Sequence, residues 1–149
     1  MELKKVLDSR IVDLHMKAKT KDEALNHLTG LLEKAGYVSD CQQFVSDIYL
    51  REKEGLTGIG NYIAIPHGKS DSVSNVGIAI GKLDKEIEWE TLDGNGVKII
   101  FLFAVSNNLE YAQNHMGLLA QIAGKLGNDK AIAALQKVKT FDELLAVFQ

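Results

Sequence analysis

Six side chains in this sequence could take part in nucleophilic or anion chemistry: His15, His27, His67, His115, Arg51 and the lone Cys41. His67 stands apart from the other histidines, because it follows Pro66 at the end of an extended segment and precedes Gly68. Such a strand end presents an imidazole where backbone can approach closely and where functional groups are often carried. A neutral ring nitrogen there is a nucleophile; the plainer reading is a loop histidine without a task. His115 lies on the apolar face of a helix with Tyr111, Leu118, Leu119 and Ile122, and taken alone it reads as a core histidine satisfied by one hydrogen bond. Taken with His67, it could fix a tautomer or hydrogen-bond a bound anion. Arg51 follows Phe44 and Ile48 at helical spacing, so its stem shares their apolar side and its head reaches the helix end. It either snorkels there or offers a planar donor to phosphate oxygens.

The remaining candidates are weaker. His15 at a strand exit and His27 at the margin of an apolar stripe have no carboxylate or thiol at metal-ligand spacing. Cys41 in the first turn of a helix reads as a packed or surface thiol. Gly68-Lys69-Ser70 resembles the end of a phosphate-binding P-loop, but Ile63 occupies the position where the first glycine is required. Gly58-Ile59-Gly60 begins a dinucleotide fingerprint, and Ile63 again replaces its third glycine. No Gly-x-Ser-x-Gly occurs.

These residues must be held by a domain of ordinary composition. The chain has 149 residues, 46% hydrophobic and 25% charged, with 17 Lys+Arg against 20 Asp+Glu for a net charge of −3. That length supports one domain, 1–149, with one buried core. Scattered basic residues within a slightly acidic chain argue against nucleic-acid binding. A single cysteine excludes an intrachain disulfide and the Cys-rich zinc sites. No apolar run serves as a signal peptide or spans a bilayer, so a cytoplasmic protein is expected.

Patterning gives the elements. Arg10 to Leu14 reads as a strand, and Thr20-Lys21-Asp22-Glu23 is a capping box opening a helix with an Ala24, Leu25, Leu28, Leu31, Leu32 stripe that Gly36 stops. Ser39 with Gln42 forms a second box, opening a helix that carries Phe44, Val45, Ile48 and Tyr49 and ends at Gly55. From Gly55 to Gly68 the chain is Gly-punctuated and extended. Val76 to Ile80 is a strand. Leu83 to Gly96 is turn-rich and holds the only tryptophan, Trp89, as an anchor between strands. Val97 to Val105 is so apolar that it belongs in mid-sheet with both faces covered. A long helix from about Asn108 to Leu126 stops at Gly127-Asn128; a short helix over Asp129 to Val138 and a last one opened by Thr140-Phe141-Asp142-Glu143 follow. The class is α/β, a single-domain sandwich with a central mixed, mostly parallel sheet and helices on both faces.

The string Arg51-Glu52-Lys53-Glu54-Gly55-Leu56-Thr57-Gly58-Ile59-Gly60-Asn61-Tyr62-Ile63-Ala64-Ile65-Pro66-His67-Gly68-Lys69 resembles the signature of fructose/mannitol-type enzyme IIA domains of the bacterial phosphoenolpyruvate-dependent sugar phosphotransferase system. Leu109 to Ala123, with His115 inside it, is similar to the family's second-histidine helix, and the resemblance covers about one complete domain. It implies a phosphotransferase in which His67 accepts a phosphoryl group from phosphorylated HPr and passes it to enzyme IIB, feeding the membrane enzyme IIC. It further implies His115 as supporting histidine and Arg51 as the phosphate-stabilising arginine, with no cofactor and no metal. Leu56 stands where a small Ser is common in the family and Tyr62 where Gly is common. The physics agrees: phosphoryl transfer mainly needs in-line positioning and charge neutralisation, which Arg51, His115 and the N–H groups around Gly58 to Gly60 could supply. Two successive partners at one histidine call for a shallow site with apolar surroundings, for which Tyr62 and Ile65 are candidates. The alternatives are a regulatory domain resembling the family's nitrogen-related branch, acting through phosphorylation-dependent protein binding, and an anion-binding domain in which His67 and Arg51 only hold ligand. The sugar, the enzyme IIB partner, the strand order and the oligomeric state are not legible.

Overall fold

The structure is a computed structural model and describes residues 7–107, 117 and 120–148. A 3-10 turn, Ser9–Ile11, leads into β1, Val12–Met16. Two helices follow, α1 (Lys21–Lys34) and α2 (Cys41–Glu52). The short strands β2 (Gly58–Gly60), β3 (Ile63–Ala64) and β4 (His67–Lys69) precede the long β5 (Gly77–Ile87) and β6 (Val97–Val105). Residue 117 and residues 120–126 are helical, the latter being α3, and α4 (Asp129–Lys137) and α5 (Phe141–Val147) complete the chain. Most of the long helix expected from about Asn108, including His115, lies outside the described residues.

The apolar β6 sits mid-sheet, as its composition requires. The strand order is β1-β5-β6-β3-β2, and β4 also pairs with β6, beyond the end of β3. Pairings β1/β5, β3/β6 and β4/β6 are parallel, whereas β2/β3 and the longest ladder, β5/β6, are antiparallel, so the sheet is mixed. Alternation along β6 divides the core. Ile100, Leu102 and Ala104 pack with Leu25, Leu28 and Leu32 of α1 and Phe44 and Ile48 of α2. Ile99, Phe101 and Phe103 face the opposite layer, with Ile122 and Leu126 of α3, Leu135 of α4 and Leu144 of α5. Helices therefore cover both faces. Among the described residues no helix is long and apolar enough to cross a membrane.

Thr20 and Thr140 cap their helices as the sequence predicts, each accepting from the N–H three residues on, and Gly36 takes φ +85° at the end of α1. Four boundaries move. Asp40, not Ser39, caps α2, because its carboxylate accepts from Gln43 N while the Ser39 hydroxyl donates to the Ser72 carbonyl. Helix α2 ends at Glu52, ahead of Gly55. The first strand starts only at Val12, since Asp8 accepts from Arg10 N and winds residues 9–11 into the 3-10 turn. The expected turn region from Leu83 is strand as far as Ile87, paired to β6 across a register shift. Charged residues there mark an exposed strand end rather than a loop.

Candidate active site

The extended segment reaches the sheet through a tight hairpin. Strands β2 and β3 are joined by Asn61 and Tyr62, both left-handed at φ 56° and 64° and preceded by Gly60 at φ 93°. A two-residue hairpin turn demands this backbone, which favours glycine and tolerates Asn, so Tyr62 holds a conformation that a glycine would adopt without strain. Asp93 holds the turn by accepting from Asn61 N at 3.1 Å, and Gln136 donates to the Asn61 carbonyl at 3.0 Å. The chain then runs beside β6 as β3, is interrupted at Ile65-Pro66, and resumes as β4. Pro66 lacks an N–H, but its carbonyl accepts from Phe103 N at 3.0 Å and keeps the segment in register.

His67 sits opposite Phe103 in this register, and their rings stack with centroids 5.0 Å apart at 15°. Its Nδ1 is 2.7 Å from the Ile65 carbonyl oxygen. A carbonyl only accepts, so Nδ1 carries the proton and donates, and in the neutral ring Nε2 carries the lone pair. The stack fixes the ring plane and the hydrogen bond fixes its flip. Gly68 follows for a reason that Pro-His-Gly alone did not reveal: a Cβ there would collide with the Phe44 ring of α2, which lies directly on β4.

Arg51 arises from the last turn of α2, the helix whose Phe44 ring lies on β4. Its Nε lies 3.8 Å from Glu54, a loose pairing, and its Nη1 is buried without a hydrogen-bond partner. An unsatisfied buried guanidinium nitrogen is costly, and an anionic oxygen is the group that would satisfy it. The next residue, Glu52, enters a buried polar cluster. Lys21 Nζ lies 2.7 Å from Glu52 Oε1 and 2.7 Å from Glu90 Oε2, and 4.8 Å from the centre of the Trp89 ring. The side chains of Lys21 and Glu52 are only 15% and 9% exposed. Burial works against the Lys21 charge, but the Glu52 and Glu90 carboxylates outweigh it and raise its pKa. Burial, followed by the Asp22 carboxylate that accepts its hydroxyl, pushes neighbouring Tyr49 up to about 12, so it is a neutral donor.

Of the three predicted site residues, the structure describes His67 on β4 and Arg51 in the last turn of α2, while His115 lies outside the described residues. Tyr62 and Ile65 are half-buried, while Leu56 is exposed. The other two histidines have structural bonds: His15 Nε2 is 2.8 Å from the Lys139 carbonyl and His27 Nε2 is 2.9 Å from Asp13, a carboxylate partner that spacing did not disclose. Among the described residues no group of three or more His, Cys, Asp or Glu could hold a metal ion. Sequence reasoning missed the Ile65 carbonyl, the Phe103 stack and the Lys21 cluster. Only the i, i+2 spacing of Ile65 and His67 could have signalled the first; the others depend on which strands and helices meet.

Comparison with known proteins identifies the family. The family model for the phosphoenolpyruvate-dependent sugar phosphotransferase system, EIIA 2, matches residues 5–149. The chain is 34% identical over 134 residues to the 2-O-alpha-mannosyl-D-glycerate-specific EIIABC component of Escherichia coli, covering 89% of this chain but 20% of that protein. It is 31% identical over 146 residues to the mannitol-specific phosphotransferase enzyme IIA component of Bacillus subtilis, covering 96% of each. The crystal structure of nitrogen regulatory protein IIA-Ntr from Neisseria meningitidis superposes with a TM-score of 0.88 at 25% identity, over 99% of each chain. With the signature segment, the fold and the match over residues 5–149 all in agreement, the chain belongs to the EIIA 2 family of the phosphoenolpyruvate-dependent sugar phosphotransferase system.

Proposed function

We propose that this chain is a cytoplasmic phosphocarrier in sugar uptake, in which His67 accepts a phosphoryl group from phosphorylated HPr and passes it to enzyme IIB, with Arg51 stabilising the phosphoryl oxygens and His115 as supporting histidine. The observation that carries this reading is the 2.7 Å contact between His67 Nδ1 and the Ile65 carbonyl, which leaves the lone pair on Nε2. Nε2 attacks phosphorus, the bond between phosphorus and the donor atom breaks, and the donor atom keeps the electron pair. The His67 ring becomes cationic, still protonated at Nδ1, so its bond to the Ile65 carbonyl strengthens as charge develops. Transfer to enzyme IIB reverses these steps: the P–N bond breaks and Nε2 recovers its lone pair. A buried guanidinium nitrogen without a partner on Arg51 suits the three oxygens in flight. The EIIABC name of the E. coli relative joins an EIIA to EIIB and EIIC, which supports these partners, and the sugar-specific names of both relatives favour transport over the regulatory alternative.

The test is intact-mass spectrometry after incubation with phosphoenolpyruvate, enzyme I and HPr. One acid-labile phosphoryl adduct is expected on the wild type and none on His67→Ala. An adduct retained by the variant overturns the assignment of His67. No adduct on the wild type, with HPr shown to be phosphorylated, moves the anion-binding reading forward.

A further inference from the structure

We propose that Thr57 and Glu52 are positioning residues for phosphoryl transfer, forming a hydrogen-bonded line from the end of helix α2 to the imidazole of His67. The inference rests on the reading of His67 as acceptor. Thr57 is 3% exposed and uses both its side chain and its main chain. Its hydroxyl donates to Glu52 Oε1 at 3.0 Å and accepts from Trp89 Nε1 at 3.3 Å. Its carbonyl accepts from Ile65 N at 2.9 Å. The other end of that same residue, the Ile65 carbonyl, receives the proton of His67 Nδ1 at 2.7 Å. One buried threonine therefore fixes the residue whose carbonyl selects the His67 tautomer.

The far end of the line is held through one oxygen of Glu52. Glu52 Oε1 is shared between Thr57 and Lys21 Nζ, and Lys21 is held in turn by Glu90 and the Trp89 face. Glu52 is bonded in sequence to Arg51, so the line that orients His67 begins at the residue beside the guanidinium. In the chain, residues 52–66 join Arg51 at the end of α2 to His67 in β4. Glu52 Oε1 accepts from Thr57 and pairs with Lys21 while its Oε2 is buried without a partner, and with buried Thr57 it restrains that segment more than exposed Gly-rich chain would be restrained.

Thr57→Val removes the hydroxyl and keeps the shape, and Thr57→Ser restores it. Single-turnover phosphorylation by phospho-HPr is expected to slow by about tenfold or more in Thr57→Val, with the KM for HPr unchanged, because the nucleophile is misplaced rather than the docking surface. Thr57→Ser should return the rate to within about twofold of wild type. Nitrogen-15 NMR of the His67 ring should report the Nδ1–H tautomer in wild type and Thr57→Ser, and a mixture of tautomers in Thr57→Val. A folded Thr57→Val with the wild-type rate and one tautomer overturns the proposal, as does a rate loss that Thr57→Ser fails to rescue. Should Thr57→Val not fold, Glu52→Gln decides by the same two readouts, unchanged tautomer and rate counting against the proposal. The tautomer spectrum needs no phosphoryl donor, so an unphosphorylated wild type would refute the acceptor reading while leaving the positioning line to be judged on its own.

Discussion

Two ion-paired clusters in this protein have similar chemistry and opposite settings. In the first, Asp8 and Arg10 pair across two residues of one turn: the guanidinium gives Nη2 to Oδ2 at 2.7 Å, Tyr37 donates to the same carboxylate at 2.9 Å, and Arg10 is 66% exposed. In the second, Lys21 and Glu52 come from different helices, meet at 2.7 Å, and are largely buried against Trp89, with Thr57 and Glu90 completing the set. The first shapes a local turn, since Asp8 also accepts from Arg10 N at the start of the 3-10 segment. The second joins the start of α1, the end of α2, the Gly-rich segment and the chain just after β5. An exposed pair can be lost with little consequence beyond its own turn, whereas a buried pair cannot lose one member without stranding the other.

The comparison is broken or sharpened most strongly by Lys21→Met. It leaves Glu52 buried beside an apolar chain, and the expected cost is about 3 kcal/mol of unfolding free energy by denaturant titration. A loss under about 0.5 kcal/mol would place this cluster with ordinary surface pairs. Asp8→Asn comes next, with an expected loss of about 1 kcal/mol, because Tyr37 and the Arg10 backbone keep partial partners in the amide. Its signature is in the pH profile. Hydrogen bonding by Arg10 lowers the Asp8 pKa from 3.8 to about 2 in the folded protein. The stability it supplies is therefore fully present above the ordinary value and is lost as pH falls toward 2. Asn at this position should remove that part of the acid slope, and an unchanged slope below pH 4 would show that the pair contributes nothing measurable.

The difference between the clusters also explains what the sequence discloses. Thr20, Thr140 and Gly36 act within one turn of their own chain, so their roles are readable from spacing, and the apolar run Val97 to Val105 is readable as a central strand for the same local reason. His67 and Arg51 stand out as candidates because they lie in one contiguous string that resembles a family signature. Glu52 and Thr57 lie in that string too, yet nothing local distinguishes a buried Glu next to Arg51 from a solvated one. Their partners, Lys21, Trp89 and Ile65, are fixed by where α1 and the chain just after β5 and β3 dock. The Ser39 and Asp40 misreading has the same origin: either residue can cap α2, and the choice falls to Asp40 once Ser39 is engaged by the Ser72 carbonyl from another segment.

The smallest expected effect concerns the open end of the buried cluster. Glu90 pairs with Lys21 at 2.7 Å as Glu52 does, but its side chain is 66% exposed. The Lys21 hydrogen bond lowers its pKa, so the stability it adds is present above the ordinary value of 4.5 and fades as pH falls below it. Water screens this pair on one side, and Glu52 still neutralises the ammonium when Glu90 is gone. Glu90→Gln should therefore cost about 0.5 kcal/mol or less, an amount that falls further in high salt. Measured beside Lys21→Met, it separates depth from mere charge: the same ammonium, at the same distance from two carboxylates, should matter to one far more than to the other. A loss for Glu90→Gln as large as that for Lys21→Met would mean that burial of Glu52 is not what sets the strength of the cluster, and that the outer carboxylate, not the inner one, holds Lys21 over Trp89.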